Sequence, residues 1–291
     1  MTPPYSVTSE PALQHPDIIR PHMPPLGLKR LRYLRAAADL AERMRPRILA
    51  LRNRHAGRRA FILGNAPSVA QMDLARLRNE ITFAVNSTFR LYPRMGFVCP
   101  YTCFSDRVRW RETGAEMMRN SPGTEVLCCD EWEVPTPPDF YSAAELDQVI
   151  VLNQLYRLPG WLHAMSPLRN RAGMFTYLGL RSRKFSWDLT EGVCVAKSVI
   201  FMAAQVAAWM GCNPIILIGV EMNYSQPQAH FHDQKVWTPS QDYDREVKPW
   251  FEIFRRDMET RGIEFLNATP GGRVNELKRV RYDDLFLHRE A

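Results

Sequence analysis

A Rossmann-like α/β fold, a mostly parallel twisted sheet flanked by helices, is the class this sequence predicts, and three observations predict it. Short apolar runs at 60–63, 81–85, 101–104 and 215–220 have the length of strands buried on both faces. Segments of helical periodicity alternate with them, which calls for right-handed crossovers between parallel strands. Several runs break at small or polar residues, namely Gly64-Asn65, Asn86-Ser87, Ser105-Asp106 and Glu221. Ligands of open α/β sheets bind just there, beyond the carboxyl ends of the strands.

The chain divides into three parts. Residues 1–27 hold seven prolines and read as an arm without regular structure, draped on a neighbour or disordered. Residues 28–57 place Leu28, Leu31, Leu34, Leu40, Met44, Ile48 and Leu51 on one face of a helix, with a bend expected at Pro46. From 28 to 59 eleven basic residues face only Asp39 and Glu42. Two readings of this helix stand side by side: peripheral contact with an anionic membrane, and ordinary packing on the domain with a solvated basic face. Residues 58–291 read as one nucleotide-binding domain.

Within that domain a strand at 61–63 stops at Gly64-Asn65, and a helix is expected over 72–78. Such a junction offers free backbone N–H groups and a helix dipole to an anion, with Asn65 or Ser68 as cap or nucleotide contact. Neither GxGxxG nor GxxxxGK[ST] is present, so neither of those phosphate-binding mechanisms applies. Strands follow at 81–85, 101–104, 126–129 and 149–152, with a helix over 107–119. Residues 130–187, broken by Pro135, Pro137, Pro138, Pro159 and Pro167, read as a lid-like insertion or a structural loop region. A buried, Ala- and Met-rich helix is expected over 195–210, with Thr190 or Glu191 where a cap is wanted and Gly192 near its start. The most apolar strand, 215–220, belongs at the sheet centre. A polar loop carrying His230-Phe231-His232-Asp233 follows, then a helix over 242–261 and a strand at 264–267.

Composition narrows the function classes. The chain of 291 residues is 45% apolar and 24% charged, with a formal net charge of +7. No apolar run approaches the roughly 20 residues of a membrane span, and no secretory signal is evident at the N-terminus. Six cysteines without a CxxC pair fit a reducing cytoplasm and do not make a zinc site. The basic excess favours an anionic lipid or a polyanionic substrate over nucleic acid.

Taken in order, Gly64-Asn-Ala-Pro-Ser68, Asn86 after the second strand, Thr190-Glu-Gly192 before an Ala-rich helix, and Ile218-Gly-Val-Glu-Met-Asn-Tyr224 resemble the glycosyltransferase family 42 sialyltransferases. They are also similar to the motility-associated-factor glycosyltransferases. A bacterial set named after the archaeal 6-hydroxymethylpterin diphosphokinase shares, in addition, His230-Phe-His232, Asn267-Ala-Thr-Pro-Gly-Gly272 and Arg279-Val-Arg-Tyr-Asp-Asp284. The resemblance spans roughly residues 59–286. It implies a GT-A-like variant of the Rossmann sheet and a homo-oligomer, while the cysteines and the basic helix point to the cytoplasm and to a peripheral place at the inner face of the membrane. It implies transfer of a sugar, a sialic-acid-like nonulosonate, from a nucleotide-sugar donor (CMP-linked favoured) to a surface glycan, lipid or protein acceptor.

Residue by residue, the resemblance implies nucleotide contacts at Gly64, Asn65, Ser68, Asn86, Ser105 or Asp106, and Tyr224, with Glu191 and Gly192 at the expected helix start as further candidates. Asp188 stands where the sialyltransferases carry an arginine, and their late catalytic histidine has no clear counterpart. Transfer needs a base for the acceptor hydroxyl, and His232, then His230, fit that role, with Glu221 as a further base or metal-facing carboxylate. No cofactor is required on this reading. The alternatives are an ATP- and Mg²⁺-dependent diphosphokinase, with metal carboxylates at Asp106, Glu221 and Asp233, and a non-enzymatic nucleotide-binding protein.

Overall fold

A computed structural model of the chain describes residues 28–130, 140–154, 185–196, 198–223, 231 and 243–287. Eight parallel strands form one sheet: β1 (Ala60–Leu63), β2 (Ile81–Val85), β3 (Tyr101–Phe104), β4 (Glu125–Asp130), β5 (Val149–Asn153), β6 (Ile215–Ile218), β7 (Phe265–Asn267) and β8 (Lys278–Arg279). Their order is β5-β4-β3-β2-β1-β6-β7-β8. The chain builds outward from β1 to β5, returns to lay β6 beside β1, and continues outward to β8. The order therefore reverses between β1 and β6, in register from Ala60 opposite Ile215 to Leu63 opposite Ile218. All four residues of β1 and all four of β6 are buried, because both faces of a parallel sheet are covered.

The covering helices are α1 (Leu28–Ala50), α2 (Tyr92–Met95), α3 (Arg107–Asn120), α4 (Ala143–Gln148), α5 (Val199–Trp209) and α6 (Lys248–Glu259). Helix α5, buried along its whole length, packs on β1, β2, β3 and β6 and supplies the central core with Phe201, Met202 and Val206. Phe201 meets Phe251 and Phe254 of α6 at ring-centroid distances of 4.7 Å.

Helix α1 packs on β5, with Met44 and Ile48 buried, and the chain then turns through the buried Leu51. The helix runs through Pro46 and ends at Ala50, short of the expected 57. Two arginines of its basic face, and Arg54 just past its end, are spent on the domain. Arg47 donates to the carbonyls of Leu146 and Val149 at 2.8 Å, Arg43 pairs with Asp147, and Arg54 pairs with Glu125. Beyond it, Arg59 grips Glu80 through two hydrogen bonds of 2.7 and 3.0 Å, and the Glu80 side chain is 3% exposed.

Four other expectations change. The helix at 72–78 is instead two 3-10 turns, Pro67–Gln71 and Leu74–Leu77, separated at Met72 and Asp73. Strand β6 ends at Ile218 because Gly219 adopts a left-handed φ of 64°. The helix expected over 195–210 starts at Val199 behind Ser198, so Thr190, Glu191 and Gly192 do not cap it. The region 130–187 is interrupted by helix α4 and by β5, a strand of the sheet; its stretches 131–139 and 155–184, like the arm 1–27, lie outside the described residues. Among the described residues no helix is long and apolar enough to cross a membrane.

Candidate functional site at the carboxyl rim

Because all eight strands run the same way, their carboxyl ends share one rim, and polar residues follow almost every one. The turn after β1 is packed against the exit of β6. Gly64 donates its N–H to Ile218 O (2.8 Å), and Ala66 donates to Gly219 O (3.1 Å). A Cβ on Gly64 would collide with the Gly219 carbonyl, and one on Gly219 would lie 2.7 Å from Val69 Cβ. Two glycines facing one another are what allow these backbones to meet.

The Ser68 N–H donates to Glu221 Oε1 at 2.8 Å. The sequence reading places an anion at this turn, but its donors at Gly64, Ala66 and Ser68 are all taken by the protein itself. The following turn is also too short a 3-10 helix to carry a sizeable dipole, and its N-cap, Ala66, makes no side-chain cap. Asn65 and Ser68 therefore do not cap a helix. Glu221 is held on both sides: its carbonyl accepts from Arg273 N (2.8 Å), and Gly272 lies so close that a Cβ there would sit 2.7 Å from Glu221 Cα. Met222, next in the chain, is buried in a left-handed conformation, φ 54°.

The segment that pins Glu221 is itself clamped. Asn267 accepts from Thr269 N (3.0 Å) and donates to Val274 O (2.9 Å), and Thr269 Oγ1 accepts from Val220 N (3.0 Å). Arg279 donates to the carbonyls of Thr269, Gly271 and Gly272 at 2.6–3.2 Å. The Asn267–Gly272 motif is thus a buttress behind the β6 exit.

Toward β2 the rim is less saturated. Asn65 Nδ2 lies 3.5 Å from Ser87 Oγ, which brings the turns after β1 and β2 together. Thr88 Oγ1 ties the same two strands by donating to Val85 O (2.7 Å), with Leu63 O at 3.1 Å. Asn86 sits at φ 48°, a left-handed position that Asn tolerates better than most residues. Its Oδ1 and Ser68 Oγ are buried and find no hydrogen-bond partner among the described residues. Ser105 and Asp106 come next along the rim, half-buried, and Asp106 O accepts from Trp110 N in the first turn of α3.

Glu191 and Gly192 lie at the other end. Val193 forms a parallel bridge with Gln154, just past β5, and its N–H donates to Asn153 O (2.7 Å). Asp188 Oδ1 accepts from Thr190 N and Oγ1, closing a local turn that leaves Glu191 exposed. Four strand spacings, about 19 Å, separate β5 from β1. The structure thus brings Asn65, Ser68 and Asn86 together, sets Ser105 and Asp106 beside them, and moves Glu191 and Gly192 away.

Two residues at this rim were not singled out in the sequence. Gln154 Oε1, buried at the end of β5, has no partner among the described residues. Its only sequence signal is a polar residue closing an apolar strand. Phe231 donates its backbone N–H to Asn65 O at 3.0 Å, so the His-Phe-His segment reaches the β1 turn at that residue. Tyr224, His230, His232 and Asp233 lie outside the described residues.

The remaining reactive groups are committed to packing. All six cysteines are buried, and burial pushes the Cys99, Cys194 and Cys212 thiols up to about 12, far from a thiolate nucleophile at neutral pH. Burial likewise raises the Tyr243 phenol, whose hydroxyl donates to Glu276 at 2.7 Å. Among the described residues no three His, Cys, Asp or Glu side chains stand together as metal ligands.

Comparison with known proteins gives little. No family model matches the chain, and no curated protein matches it. One solved structure to which it is similar is a MAf glycosyltransferase from Magnetospirillum magneticum AMB-1, with a TM-score of 0.46 and 12% sequence identity. The match covers 83% of this chain and 38% of that one, so this chain corresponds to well under half of that protein.

Proposed function

We propose that this protein is a glycosyltransferase that binds a nucleotide-sugar donor at the carboxyl rim, between the turns after β1 and β2. The observation that carries this reading is the hydrogen bond from Phe231 N to Asn65 O, which joins the histidine-bearing segment to the turn of the Gly64-Asn-Ala-Pro-Ser68 motif. A base and a nucleotide contact must share one site for sugar transfer, and Phe231, which lies between the two histidines in sequence, bonds to Asn65 of the nucleotide motif. The resemblance of the ordered motifs to the family 42 and motility-associated-factor glycosyltransferases supports the same reading.

In this mechanism Asn65, Ser68 and Asn86 hold the nucleoside. The oxygens of Ser68 and Asn86, buried and unpartnered among the described residues, call for hydrogen-bond donors, which ribose hydroxyls and a base amino group supply. His232, or His230 in its place, removes the acceptor hydroxyl proton as the sugar–phosphate bond breaks, and Tyr224 donates to the departing phosphate. A CMP-linked nonulosonate donor and a glycan or lipid-linked acceptor are the substrates the resemblance favours.

The test is a thermal-shift screen against CMP, UDP, GDP and ATP, each with and without Mg²⁺. Stabilisation by a nucleoside mono- or diphosphate without metal is the expected result. Stabilisation by Mg-ATP alone points to the diphosphokinase, and no shift with any nucleotide removes the enzymatic reading. His232→Ala is expected to cut turnover by about a hundredfold or more while nucleotide binding persists.

A further inference from the structure

We propose that Glu221 is a positioning residue: its carboxylate holds the β1 turn in its ligand-ready shape by accepting the Ser68 N–H, and neither takes a proton nor holds a metal. The inference rests on the glycosyltransferase reading for what the turn binds, but its structural content stands on Glu221's own contacts.

Four constraints converge on this one residue. Its Oε1 accepts from Ser68 N at 2.8 Å, reaching from the exit of β6 to the turn after β1. Its carbonyl accepts from Arg273 N at 2.8 Å. Gly272 abuts its Cα, and left-handed Gly219 and Met222 flank it two residues before and one after. Left-handed backbone at a buried non-glycine residue persists only where the surroundings over-determine it. A carboxylate fixed in this way has its direction set by the Asn267–Gly272 buttress behind it.

The consequence for chemistry is direct. The turn that Glu221 holds carries Asn65 and Ser68, and Asn65 is in turn bonded to Phe231 and approaches Ser87. A shift of the Ser68 amide would move all three. What the contact requires is an acceptor oxygen at the end of a side chain of this length, which a glutamine also provides. A general base or a metal ligand would require the carboxylate itself.

The experiment compares Glu221→Gln with Glu221→Ala in the full chain, using amide hydrogen exchange over residues 64–71, nucleotide affinity by calorimetry, and the pH profile of turnover. Glu221→Gln is expected to keep exchange protection at Ser68, to bind nucleotide within about threefold of the parent, and to keep the parent's pH profile. Glu221→Ala is expected to lose that protection and to bind about tenfold more weakly, the usual cost of an abandoned charged hydrogen bond. A glutamine variant that keeps protection but loses turnover as fully as the alanine variant overturns the proposal in favour of a catalytic or metal-binding carboxylate. An alanine variant matching the parent in exchange overturns it outright. Should the parent bind no nucleotide, the glycosyltransferase reading falls, and the exchange pattern alone still decides whether Glu221 holds the turn.

Discussion

The two edges of the sheet differ in their polar contacts. At the amino edge, charges and hydroxyls close on one another. Arg59 and Glu80 form a bidentate pair that also reaches Leu285 O, Arg54 meets Glu125, and His55 Nε2 and Tyr101 OH lie 2.7 Å apart. The Arg59 guanidinium also lies 5.3 and 5.0 Å from the ring centroids of Phe61 and Phe286. At the carboxyl rim, Ser68 Oγ, Asn86 Oδ1 and Gln154 Oε1 are buried without partners among the described residues, as are Thr82 Oγ1 and Ser121 Oγ elsewhere. Burying a polar atom unsatisfied is costly, and on the proposed function a nucleotide supplies the missing bonds of Ser68 and Asn86. On the proposed function the carboxyl rim is the binding edge and the amino edge the stabilising one.

That contrast can be broken by substitution. The largest effect is expected from Glu80→Ala, which strands the Arg59 guanidinium in a largely buried site. It should cost about 3–5 kcal/mol of stability by chemical denaturation, with nucleotide affinity of the folded protein unaltered. A smaller loss, about 1–3 kcal/mol, is expected from Gly64→Ala, because the new methyl forces the β1 and β6 exits apart. Unlike the amino-edge change, it should also abolish nucleotide-induced stabilisation in a thermal melt.

Asn86→Gly sharpens the comparison from the other side. Glycine accepts the left-handed backbone, so the melting temperature should hold, while calorimetry should show nucleotide binding about tenfold weaker. Equal affinity in this variant would remove Asn86 from the site and leave its unpartnered oxygen unexplained.

The smallest effect concerns pH. Burial, and then the charges of Arg58 and Arg54, hold the His55 imidazole below its ordinary pKa of 6.5. A lowered value means the fold favours the neutral ring, so its contribution is intact above the unfolded pKa. It is lost as pH falls through the lower folded value. The melting temperature of the parent should therefore fall more steeply between pH 7 and pH 5 than that of His55→Gln, and parallel slopes would dismiss the effect.

Much of the fold is legible along the chain because apolar runs of strand length declare themselves locally. The strands at 81–85 and 101–104 carry the expected bounds, and those at 60–63, 125–130, 149–153 and 265–267 differ from expectation by a residue at one or both ends. Two-residue β8 was not legible, since Lys278 and Arg279 are exposed and carry no apolar signal. The helix start at Val199 was misjudged for a different reason. Val193 to Val195 are apolar and buried because they close against β5 and α5, not because they are helical. Gln205 ties the segment to α5, its side-chain oxygen accepting from Ser186 N and Cys194 N and its amide donating to Cys194 O and Phe201 O.

The sequence by itself determined which segments become strands and which polar residues end them, since both follow from local hydrophobicity and from residues that stop a strand. It could not determine strand order, because pairing joins positions as distant as Leu63 and Ile218. Only the tertiary structure therefore decided that the β6 exit closes on the β1 turn, that Glu221 rather than a ligand takes the Ser68 amide, and that Phe231 arrives at Asn65. Each is a contact between backbones or side chains brought together by the reversal of the sheet, and no pattern within either segment encodes its partner.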